Sequence, residues 1–230
     1  LEEADRPCVV AIDEFQQIGN YPEKNVEALL RTKIQTCRNT QFIFAGSKRH
    51  VMGNMFLSSS KPFYQSAIIM GLGPIPEERY VGFAVRLFGM RGKSVDPDIV
   101  SRVYRRFDGC TWFVQMMMNE LFAIIPEGGN CGHDEIDTAF DNVIQSQESA
   151  YTAILARLSP RQKALLQAIA KEGVASSITS EEFISRYSLG SASSVQSALK
   201  PLLKNDILTR EGDTYRVYDY FFREWMATVY

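Results

Sequence analysis

Residues 8–15, Cys8-Val9-Val10-Ala11-Ile12-Asp13-Glu14-Phe15, constrain the fold more than any other stretch. Five apolar residues, three of them β-branched, stop at two adjacent carboxylates. An apolar run this short, without polar alternation, reads as a strand buried on both faces of a parallel sheet. Ligands of open α/β sheets gather at the carboxyl ends of the strands. Asp13 and Glu14 therefore stand where a site would open.

The rest of the first third keeps the same rhythm. Residues 26–37 place Val26, Leu29, Leu30, Ile34 and Cys37 near helical period. Residues 41–45 form a second short apolar strand, followed by Gly46-Ser47, and a helix is expected over 48–57. Residues 67–72 read as a third strand. Strand, helix, strand, helix, strand is the α/β signature. After Pro74-Ile75-Pro76 the texture becomes helical: 77–90, a helix opened by Asp96-Pro97, a Met-rich helix over 111–125, and a long stretch over 134–158. Met116-Met117-Met118 reads as core filling.

Ser159-Pro160 opens a third unit. It has helices over 160–171, 179–187 and 191–204, with Pro201 expected to interrupt the last turn. Strands over 207–210 and 214–218 flank the turn Glu211-Gly212-Asp213. Three helices and a hairpin make a winged helix. The fold class is thus a partial α/β parallel sheet over 1–76, an all-α bundle over 77–157, and a winged helix over 158–230.

Composition excludes more than it selects. Apolar content of 45% and charged content of 23% suit an ordinary globular protein, and a net charge of -2 points to neither nucleic acid nor an anionic membrane. The four cysteines, Cys8, Cys37, Cys110 and Cys131, have no C-x-x-C spacing and fit free thiols in a reducing cytoplasm. Cys131-Gly132-His133 could seed a metal site, but no second ligand pair follows it. No apolar run reaches the ~18 residues of a spanning helix.

The chemistry follows from the strand ends. An Asp there can hold Mg²⁺, through water, and the next Glu can polarise an attacking water. This is the Walker B pattern of P-loop ATPases, with ATP and Mg²⁺ as the expected cofactors. On the neighbouring strand a small polar residue can sense the γ-phosphate, and Ser47 is the candidate; its plainer role is to cap the following helix. Lys48 and Arg49 read as solvated surface cations. Asp108-Gly109-Cys110-Thr111 precedes a helix whose amide end could face a nucleotide, a plain helix start being the simpler reading. The phosphate loop G-x-x-x-x-G-K-[ST] does not occur in these residues. Gly92-Lys93-Ser94 comes nearest, but Leu87 stands where the first glycine belongs and a helix precedes it. The chain begins with Leu1. The expectation is the later part of a longer ATPase, binding nucleotide weakly or not at all by itself.

Four segments together resemble the AAA+/STAND-type ATPases often called the archaeal ATPase family: Val9 to Gln16, Phe42 to Ser47, Gly71-Leu72-Gly73-Pro74-Ile75, and Phe107-Asp108-Gly109. The late Tyr218-Asp219-Tyr220-Phe221-Phe222-Arg223-Glu224-Trp225 is similar to the family's aspartate–aromatic–tryptophan ending of a winged helix. The resemblance implies an ATP-dependent molecular switch in which the bundle is a lid. It implies Asp13 organising Mg²⁺, Glu14 activating water, Ser47 sensing the γ-phosphate, and a protein partner or self-association. Two departures stand out. Gln65-Ser66 replaces the family's Gly-Arg before the third strand, and Trp112 stands near the place of a lid proline. The alternatives are DNA binding by the winged helix, through Lys200, Lys204, Arg210 and Arg216, and a scaffold that binds nucleotide without turning it over. Acidic Glu211 and Asp213 at the wing tip weigh against DNA.

Overall fold

The computed structural model describes residues 6–229, and these divide into two units, one ending at Leu72 and the other beginning at Gly73. In the first unit β1 (Cys8–Ile12), α1 (Val26–Thr36), β2 (Thr40–Phe44) and α2 (Arg49–Leu57) follow in order, with a 3-10 helix over Phe15–Asn20. β1 and β2 pair in parallel, from Cys8 opposite Thr40 to Ile12 opposite Phe44. A parallel pair needs a crossover, and α1 supplies it.

One face of this sheet is covered. Ile12 and Phe44 pack with Phe15, Met55, Phe56 and Phe63, together with Leu30 and Ile34 of α1 and Val51 and Met52 of α2. Four rings, Phe15, Phe44, Phe56 and Phe63, touch one another with centroids 4.3 to 5.9 Å apart. The other face, with Val9 and Ile43, lies open at 66% and 55% exposure. The run at 8–12 reads as buried on both faces, yet the side chains alternate between half-buried and exposed. Two strands with helices on one side leave the second face without a layer.

Residues 67–72 correct the expected third strand: they join no sheet, and Ile68, Met70 and Leu72 are 98%, 82% and 80% exposed. An apolar run becomes a strand only where another strand takes its backbone groups. Among the described residues β1 and β2 pair with each other alone.

The second unit contains α3 (Glu77–Met90), β3 (Ser94–Val95), α4 (Pro97–Arg106), α5 (Thr111–Ile124), β4 (Asn130–Cys131) and α6 (Asp134–Ala156). It continues through α7 (Pro160–Glu172), β5 (Ala175–Ser176), α8 (Glu181–Tyr187), α9 (Ala192–Lys204), β6 (Leu208–Glu211), β7 (Thr214–Val217) and α10 (Tyr220–Val229). The expected stops and starts are visible as caps. Asp96 accepts from the Asp98 amide with Pro97 at the first turn, and Ser180 accepts from the Phe183 amide. Ser159 and Gln162 form a reciprocal capping box. Pro201 does not interrupt α9, which runs on to Lys204. Ser197, whose carbonyl loses its donor there, lies on the exposed side of the helix.

β5, β7 and β6 make an antiparallel sheet beside α7–α9, completing the winged helix. The bundle and the winged helix share one core. Phe221 of α10 packs on Phe107, Phe113 and Phe140, while Tyr151 of α6 packs on Phe222 and Trp225. Met117 and Met118 are buried in that core.

Candidate functional site

The two parallel strands end level with each other, and the backbone keeps their continuations together. The Ala45 amide donates to the Ile12 carbonyl and the Phe15 amide to the Ala45 carbonyl, both at 2.9 Å. The residues that follow β1 and those that follow β2 therefore run side by side. Glu14 adopts the left-handed conformation, φ 49°, which costs a non-glycine residue about 1–2 kcal/mol. Two bonds support it: its amide donates to Asp13 Oδ1 at 2.8 Å, and its carbonyl accepts from the Gln17 amide at 2.9 Å.

That left-handed turn sends the chain from the strand directly into the 3-10 helix and swings Gln16 back beneath the strand ends. Gln16 is 4% exposed. Its Nε2 donates to Glu14 Oε2 at 2.5 Å and lies 3.3 Å from Ser47 Oγ, whose hydroxyl donates to the same Glu14 oxygen at 3.3 Å. Ser47 thus spends its hydroxyl on Glu14. The α2 N-cap position is Lys48, and no side chain caps it. Gly46 makes room for the cluster, because a Cβ there would run into Gln16 Oε1 and the Met52 sulfur.

The structure brings together Asp13, Glu14 and Ser47, all exposed. It adds Gln16 and Gly46, which sequence motifs mark but to which composition and spacing give no role. Asp13 keeps its second carboxylate oxygen beside the one held by the Glu14 amide. Among the described residues no three His, Cys, Asp or Glu side chains converge as a metal cage. Mg²⁺ characteristically takes one or two carboxylates and completes its shell with water and phosphate oxygens, so Asp13 suits it without a cage. The Arg49 side chain lies outside the described residues.

Other sequence candidates lie elsewhere. Gln65 and Ser66 end the first unit's core, the Gln65 amide bonded to the Phe56 carbonyl and the Ser66 hydroxyl to the Phe63 carbonyl. Lys93, in the near-match to a phosphate loop, donates to the Phe122 carbonyl and lies 4.0 Å from the Phe122 ring centroid. Cys131 is fully buried, and burial pushes its thiol up to about 11. His133 lies 3.9 Å from Asp98.

In the winged helix, Lys200 and Lys204 are exposed on α9. The wing arginines hold their own carboxylates. Arg210 bonds Asp213 and the Gly212 carbonyl, and Arg216 reaches Glu211 at 3.1 Å and Asp108 at 3.4 Å. Asp108 also accepts from the Tyr220 hydroxyl at 2.8 Å, so this residue at the start of the Met-rich helix is tied to the winged helix.

Residues 149–228 match a family model described as a probable winged helix domain. The fold as a whole is similar to the Walker-type ATPase PABY2304 of Pyrococcus abyssi, with a TM-score of 0.62 and 19% identity, over 95% of this chain and 62% of that one. It is also similar to the ORC2 protein of Aeropyrum pernix in ADPNP–ADP complexes, with a TM-score of 0.54 and 13% identity, over 95% and 63%. The chain therefore spans somewhat under two thirds of each. At such identities the likeness carries the fold alone, and the family model carries the winged helix. No curated protein matches the sequence.

Proposed function

We propose that this chain is the C-terminal portion of an ATP-dependent molecular switch of AAA+/STAND type, with a helical lid over residues 77–157. One observation carries the reading. Two adjacent parallel strands end in an Asp-Glu pair and a serine that share hydrogen bonds. The likeness to a protein titled a Walker-type ATPase, and to one bound to ADPNP and ADP, supports it. In this reading Mg²⁺, when bound, neutralises charge on the β- and γ-phosphates. Asp13 holds its water shell. Glu14 polarises the attacking water: the water oxygen bonds to the γ-phosphorus, the bond to the ADP oxygen breaks, and the water's proton passes toward Glu14. Ser47 turns its hydroxyl from Glu14 to the γ-phosphate.

The phosphate loop has to come from residues outside these 230. The open sheet face with Val9 and Ile43, and the unpaired apolar run with Ile68 and Met70, support a sheet that is completed by further strands and helices. In the full-length protein, Glu14→Gln should keep nucleotide affinity and lose turnover by about 10²–10⁴-fold, the range for a positioned acid–base group. Turnover at the wild-type rate would sink the reading. A wild-type protein that binds ATP without hydrolysing it would make it a nucleotide-responsive scaffold. DNA contact is the second reading, favoured by the exposed face of α9 with Gln196, Ser197, Lys200 and Lys204.

A further inference from the structure

Gln16 is the buried polar side chain of the described residues, and the chemistry above leaves it without a task. Burying an amide is unfavourable unless its bonds are made. Here half of them are. Nε2 donates to Glu14 Oε2 at 2.5 Å, while Oε1 is buried with no hydrogen-bond partner. An apolar neighbour lies beside it: a Cβ at residue 46 would meet both Gln16 Oε1 and the Met52 sulfur, and Met52 packs on the aromatic core of this unit. The space it fills is clear only because residue 46 is glycine. A polar group kept at such a cost, with its donor end on the Glu14 carboxylate and the Ser47 hydroxyl, points at the site and not at the core.

We infer that Gln16 is a positioning residue for phosphoryl transfer, resting on the ATPase reading above. A carboxylate beside a triphosphate is repelled by it and tends to swing away. Gln16 holds Glu14 Oε2 from below with a neutral donor, which leaves Oε1 to take the hydrogen of the attacking water. An Arg or Lys in its place would also hold the carboxylate, but its charge would compete for the electron pair that polarises the water. The contact with Ser47 couples the two residues. When the Ser47 hydroxyl turns to the γ-phosphate, Gln16 alone retains Glu14. The amide thus keeps the carboxylate's geometry while its other partner changes.

The test uses the full-length protein and four forms: wild type, Gln16→Met, Glu14→Gln and the double variant. Met keeps the length of the side chain and removes the donor. Turnover of Mg-ATP is measured, at single turnover where it is slow, and ADPNP affinity by calorimetry. Gln16→Met should lower kcat by about 10–100-fold, the scale on which residues that orient metal ligands act, with ADPNP affinity unchanged. In the Glu14→Gln background it should do nothing more, because Gln16 acts only through Glu14. If Gln16→Met does not fold, Gln16→Asn, whose amide stops one methylene short, should show the same loss. An unchanged or increased kcat, a parallel loss of ADPNP affinity, or an equal further loss in the Glu14→Gln background would overturn the inference. If Glu14→Gln itself turns over like wild type, the ATPase reading fails instead, whatever Gln16→Met does.

Discussion

Gly46 lies between the end of β2 and the Gln16 amide, where a single methyl group meets both Gln16 Oε1 and the Met52 sulfur. Gly46→Ala should therefore displace Gln16 and cost about 1–3 kcal/mol, the usual scale of overpacking, read as a lower urea midpoint at unchanged slope. A midpoint equal to wild type would mean that the cluster yields freely. Cysteine chemistry gives a second residue-scale prediction. Cys131 is fully buried and its thiol is held near 11 by burial first and by the Glu135 charge second. It should stay unlabelled by a thiol reagent at pH 8 until the protein unfolds. Labelling at the rate of Cys37 in the native protein would contradict that burial. At this scale the sequence is a partial guide. Asp13 and Glu14 announce themselves because charge after an apolar run is conspicuous. Gln16 stands in a motif of the resemblance but receives no role from it; the left-handed turn at Glu14 sends it inward while Gln17 stays exposed.

Caps and partners decide the elements. Asp219 receives the Phe221 amide at 2.8 Å and the Phe222 amide at 3.0 Å at the start of α10, and it also accepts the Tyr151 hydroxyl. Burial raises the Asp219 carboxyl above its ordinary value, against those three hydrogen bonds, which lower it. Folding then takes up a proton. This group's contribution to stability is full below the unfolded value and is lost as pH climbs through the folded one. Asp219→Ala should cost about 1–2 kcal/mol at neutral pH, the loss of a cap, while Asp219→Asn should flatten that part of the stability–pH curve. Melting temperatures measured across pH 3–7 read both, and parallel curves for wild type and Asp219→Asn would refute the assignment. Helices with explicit caps, such as those opened by Asp96 and Ser159, are legible because the cap is a local bond. The run at 67–72 has the hydrophobicity of a strand without being one, because hydrophobicity can be read along the chain and a pairing partner cannot.

For the whole molecule, charge distinguishes the two readings of the winged helix. Net charge is -2, and Arg210 and Arg216 are engaged by Asp213, Glu211 and Asp108. A DNA-contacting wing would have to release those pairs. If α9 meets the phosphates, Lys200→Ala and Lys204→Ala should each lower the slope of log affinity against log salt by about 1. If duplex binding at low salt is undetectable or both variants keep the wild-type slope, the winged helix serves as a docked module. Its core, continuous with that of the bundle through Phe221, Phe222 and Trp225, suits that role.

By itself the sequence determined the capped helices, the parallel β1–β2 start, the winged helix and the acidic strand end, since each rests on neighbours within a few residues or on a periodic pattern. Tertiary structure alone decided that one sheet face stays open, that the bundle and winged helix share a core, and that Gln16, Glu14 and Ser47 meet. Those features depend on which distant segments supply the missing partner, a choice made by packing and strand pairing across tens of residues.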